Sequence, residues 1–97
     1  MNQPPKQLDG ARLVCFAKIT DAVKPTGKTR HEVGGMVLGS AKALAICQYE
    51  NENDYYLFYC DDNWSVLTDT WHEKLDGAKH QAEFEYAGIS KCWNAVN

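Results

Sequence analysis

Three histidines, His31, His72 and His80, and four cysteines, Cys15, Cys47, Cys60 and Cys92, are the residues of this chain best suited to ligate a metal or supply a nucleophile. Structural zinc sites draw their ligands from short C-x-x-C or H-x-x-x-H spacings, which bring two donors together on one local turn. No two of these seven residues stand so close, so no metal and no cofactor is expected. Cys15, Cys47 and Cys60 fall in apolar, strand-like runs, where a thiol is a packing residue, and all four cysteines are expected to be reduced in a cytoplasmic protein. A Cys60–His72 pair with the nearby aspartates Asp61, Asp62 and Asp69 stays open as the chemistry of an alternative, a small-molecule-binding or enzymatic domain. Read more simply, those aspartates and Glu73 are turn and helix-start residues.

Pro25-Thr-Gly-Lys-Thr29 contains the Gly-Lys-Thr of a phosphate-binding loop, but Ala22 stands where that motif needs its first glycine. Lys24, Lys28 and Arg30 form a small basic cluster around it. The net charge of −3 and the lack of interleaved aromatics weigh against nucleic acid as a partner. No catalytic residue is assigned, and the chain reads as a binding protein rather than an enzyme.

These residues need a frame to hold them. With 97 residues and 44% hydrophobic content, the chain suits one modest core. No apolar run is long enough to span a bilayer, and the start lacks a secretory signal, so no membrane association is expected. Residues 1–10, with a Pro-Pro pair, predict a loose arm, and residues 11–97 a single α+β domain.

Residues 11–19 read as a strand with Leu13, Cys15, Ala17 and Ile19 on one face. Residues 20–40 form a long glycine-rich loop in which Val33-Gly-Gly-Met36 can close a hairpin. Residues 42–49, Tyr55 to Cys60 and Trp64 to Trp71 then predict a three-stranded meander. Helical periodicity takes over from about Glu73 to Ala87, with Leu75, Ala78, Ala82 and Tyr86 in one stripe and Gly88 as a left-handed cap. The fold class is therefore α+β: an antiparallel sheet of about four strands with one carboxy-terminal helix on one face.

Phe84 lies opposite Leu75 on the helical wheel, away from the core stripe, so either the tail of Ile89, Cys92 and Trp93 folds over it or it adds to an outer surface. One helix covers one face of the sheet, whereas Tyr55 to Cys60 offers aromatics to both. Tyr55, Tyr59, Phe84 and Trp93 are accordingly the candidate protein-binding residues. The chain is also electrically lopsided: residues 1–49 carry seven Lys/Arg against three Asp/Glu, and residues 50–97 carry three against ten.

The stretch Tyr56-Leu-Phe-Tyr-Cys-Asp-Asp-Asn-Trp64, with Asp69-Thr-Trp-His72 and Ala78 to Gly88, resembles the carboxy-terminal half of small bacterial single-domain proteins of unknown function. Domains of this style are similar in type to immunity proteins that neutralise toxins. That resemblance suits an acidic, non-enzymatic protein, and with the missing catalytic constellation, the charge asymmetry and the aromatic supply beyond one sheet face it points to a bacterial cytosolic module working through protein contact, as a homodimer or as an immunity-like inhibitor.

Overall fold

A computed structural model describes residues 2–96, so Met1 of the arm and Asn97 of the domain lie outside the described residues. The strands are β1 (Gln7–Leu8), β2 (Ala11–Lys18), β3 (Lys24–Pro25), β4 (Glu32–Val33), β5 (Met36–Val37), β6 (Ala43–Gln48), β7 (Tyr55–Cys60) and β8 (Val66–His72). Helix α1 (Leu75–Glu85), β9 (Tyr86–Ala87), a 3-10 turn at Ile89–Lys91 and β10 (Asn94–Ala95) complete the chain. The main sheet is antiparallel in the order β1-β2-β6-β7-β8, with β10 also paired to β2. Four long strands thus carry it, as the sequence predicts, and β1 and β10 extend it. None of the helices among the described residues is long and apolar enough to cross a membrane.

The meander β6-β7-β8 is in place, with strand rather than helix over 43–48. Val33-Gly-Gly-Met36 closes the β4–β5 hairpin, and Gly34 and Gly35 both take the positive φ of a primed turn. The amino-terminal arm differs from expectation. Asp9-Gly10 makes a second tight turn, with φ values of 47° and 80°, and folds β1 back onto β2 with Leu8 buried. Further out, the carbonyl of Asn2 accepts the indole N–H of Trp64 at 2.7 Å, so the arm lies along the domain rather than loose from it.

Strand β2 also departs from simple alternation. A register shift between Leu13 and Cys15 turns Val14 and Cys15 together toward the helix and sends Leu13 to the other face. The helix face holds Leu44, Ile46, Leu57 and Tyr59 beneath Ala78, Ala82, Tyr86 and Ile89. The opposite face gathers Leu8, Leu13, Phe58 and Trp64 around the small residues Ala43, Ala45 and Cys47. Each fully buried leucine or isoleucine contributes about 1.5–3 kcal/mol. This second core comes from the chain's own arm and the Trp64 turn, so most of the face expected to lack a partner is filled from within.

Helix α1 is shorter than the predicted 73–87 and buries Ala78, Ala82 and Glu85. Gly88 takes φ of 97°, as expected of a left-handed residue, while Glu83 accepts the Gly88 and Ser90 amides at 2.9 and 3.0 Å. The 20–40 loop is fastened to this end of the helix. Strand β3 pairs with β9, and the Thr26 amide donates to the Glu85 carbonyl at 2.9 Å.

Candidate protein-binding surface

Glu85 follows Ala78 and Ala82 along one helical stripe, so the core geometry carries a carboxylate inward. Three side chains meet it, and a fourth, Thr68, backs His31. Nε2 of His31 lies 2.7 Å from Oε1, Gln81 Nε2 donates to Oε2 at 2.8 Å, the Tyr59 hydroxyl donates to Oε2, and His31 Nδ1 is 2.9 Å from Thr68 Oγ1. Burial and the bond to Glu85 push the Tyr59 hydroxyl well above the ordinary tyrosine range. The adjoining cavity, between His31, Leu38, Tyr59, Leu67 and Tyr86, measures about 10 Å3. A single water is the most it can hold. The role of the carboxylate is to clamp the loop at His31 to the helix.

The four residues picked from sequence do not form one surface. Tyr59 is only 2% exposed and bonded to Glu85, so it is a core residue and not a contact residue. Tyr55 packs partly buried on the helix side, and Trp93 joins the same core from the tail with its indole N–H buried and unpaired. Phe84 is 48% exposed. Ile89, Cys92 and Trp93 do not fold over it; they pack into the core, and the Lys28 ammonium sits 5.2 Å from the Phe84 ring centroid instead.

The alternative chemistry is not assembled either. Tyr55 opposes His72 and Cys60 opposes Val66, which puts Cys60 and His72 at opposite ends of the β7–β8 hairpin, roughly 17 Å apart at ~3.4 Å per residue. Burial pushes the Cys60 thiol up to about 12, leaving little thiolate at neutral pH. Asp61 is a turn residue whose Oδ1 accepts the Asn63 and Ser65 amides at 2.8 and 2.9 Å. A groove of about 580 Å3 does run along the helix past His72, His80, Gln81, Glu83 and Phe84. Most of its polar lining is already engaged: His72 with Thr70, Gln81 with Glu85, and Glu83 with Gly88 and Ser90. Among the described residues no three His, Cys, Asp or Glu side chains gather as a metal site requires.

What remains open is a different aromatic set. Trp71 is 51% exposed on β8, directly opposite Tyr56 on β7. Tyr49, just past β6, meets Tyr56 edge to face at 5.3 Å. All three stand on the face away from the helix, at the end of the sheet beyond the Phe58–Trp64 core. The signal for Trp71 was the alternation of β8, where Thr68, Thr70 and His72 are half-buried and Asp69 and Trp71 are exposed. Compared with protein-family models, curated proteins and solved structures, the chain matches none.

Proposed function

We propose that the protein is a non-enzymatic, cytosolic binding module that acts through protein–protein contact, in the manner of an immunity-like inhibitor of another protein. The observation that carries this reading is the half-exposed Trp71 backed by Tyr56 and Tyr49 on a rigid sheet face. Tryptophan and tyrosine dominate the energetics of protein interfaces, and a sheet fixes their positions before contact. Three buried, unpaired thiols support a reducing compartment. The test is native mass spectrometry of the tagged protein drawn from its own cells, with Trp71→Ala and Phe84→Ala beside it. A discrete complex heavier than the 10.9 kDa chain is expected for the wild type and for Phe84→Ala, and its loss for Trp71→Ala. A complex indifferent to Trp71→Ala, or a wild type that is monomer alone, rejects the reading.

Self-association is favoured by a separate observation. Hairpin β4–β5 pairs with no other strand among the described residues, and its Val33, Met36 and Val37 are exposed, Met36 at 72%. Open strand edges with apolar side chains suit pairing with a second copy about a two-fold axis. Sedimentation equilibrium at micromolar concentration tests it: a mass near 10.9 kDa throughout rejects the homodimer.

A further inference from the structure

The aromatic surface stands in a ring of negative charge. Tyr49 leads directly into Glu50, Glu52 and Asp54, the acidic connection between β6 and β7. Asp69 is exposed on the same face two residues before Trp71. On the other side, the Asp9 carbonyl accepts the Tyr49 hydroxyl at 3.1 Å, which brings the exposed Asp9 alongside. Desolvation first, then Asp9, Tyr56 and Asp69, raise the Tyr49 hydroxyl above the ordinary tyrosine range. Of the basic residues near this end of the sheet, Arg12 lines a cavity with Glu50 and donates its guanidinium to Gln48 Oε1 at 3.0 Å.

Resting on the reading of this face as a contact surface, we propose that its partner is a basic protein surface that lays an Arg or Lys side chain on Trp71 between Asp69 and the 50–54 loop. The indole face attracts a cation, and carboxylates around it complete the charge-assisted bonds that a guanidinium or ammonium makes. An acidic or neutral surface would leave those carboxylates unmatched or repelled. A sheet face also offers area without enclosure, which suits a protein surface better than a small free cation.

The probe is a Gly-Arg repeat peptide, with the Gly-Glu repeat as its counterpart, titrated into the full chain and followed by NMR. The Gly-Arg peptide is expected to shift the Trp71 indole and Asp69 amide signals, and its Kd to weaken at least about tenfold between 50 and 300 mM NaCl. Asp69→Asn should weaken it about fivefold or more. Asp62→Asn removes the same charge at the opposite end of the β7–β8 hairpin and should leave it within about twofold. Equal losses from the two variants, binding that spares Trp71, or no binding at 50 mM NaCl overturns the proposal. A complex in cells that depends on Trp71 but is indifferent to salt, or a dimer that buries Trp71, also overturns it while leaving the contact surface itself standing.

Discussion

His31 Nε2 lies 2.7 Å from Glu85 Oε1, joining a glycine-rich loop to the last turn of the helix across 54 positions of sequence. Removing the carboxylate leaves the Tyr59 hydroxyl, Gln81 and His31 without their shared acceptor. Glu85→Ala is therefore expected to cost about 3 kcal/mol or more in urea unfolding, and to speed amide exchange over residues 26–38 beyond that of the rest of the chain. A loss under about 1 kcal/mol would mean that the clamp is not formed.

Stability should form a plateau in pH with opposite causes at its two ends. Burial holds His72 below 6.5, and the Gly88 and Ser90 amides hold Glu83 below 4.5, so on acidification the unfolded chain binds these protons first and stability falls below about pH 6.5 and again below about 4.5. At the alkaline end Cys15, Cys47 and Cys60 are raised from 9.0, so the unfolded chain loses protons first and stability falls above about pH 9. Urea midpoints across this range check it. His72→Gln should flatten the limb nearest neutrality, and a wild type whose stability rises on acidification contradicts the account.

Thiol accessibility gives a third expectation. Cys15 is pushed up to about 11 and Cys47 and Cys60 to about 12, chiefly by burial, whereas Cys92 is half-buried with its thiol 3.6 Å from the Gly88 carbonyl. At pH 8 the thiolate fraction of the first three is on the order of one in a thousand or less. Ellman's reagent should label one thiol promptly in the native protein and four after denaturation without reductant. Fast reaction of three or more native thiols, or fewer than four in total, counts against the packing described.

Gly88 has a specific requirement. At φ of 97°, a Cβ would also stand 3.1 Å from the Ala22 carbonyl oxygen. Gly88→Ala should destabilise by about 1–3 kcal/mol, whereas Gly39→Ala, with open space around it, should stay within about 0.5 kcal/mol. Equal effects would mean that the turn after the helix relaxes freely.

The strands, the Val33-Gly-Gly-Met36 hairpin and the helix were legible because each carries a local signal: period-two alternation, paired glycines or a helical stripe. The bulge at Val14 was not, since it depends on how β2 must serve two cores at once. Asp9-Gly10 is a turn dipeptide like Gly34-Gly35, but the polar residues and Pro-Pro pair before it carry no strand alternation, so the pairing of β1 with β2 shows only in three dimensions. Glu85 stood on the Ala78–Ala82 stripe, yet its partner His31 comes from a loop without periodicity, so the clamp could be seen only in three dimensions. Tyr59 and Trp71 were separated for the same reason. Alternation tells which residues share a face, and only the packing of arm, helix and loop decides which face stays open.

The contact surface itself is tested most directly by placing a photo-crosslinking p-benzoylphenylalanine at the exposed Asn53, in the connection beside the aromatic face, in the protein's own cells, with a second variant carrying it at the exposed Lys91. The account predicts a discrete adduct, heavier than the 10.9 kDa chain, from position 53 with Trp71 in place, and none of that mass from position 91. The same adducts from both positions, or none from position 53, would contradict it.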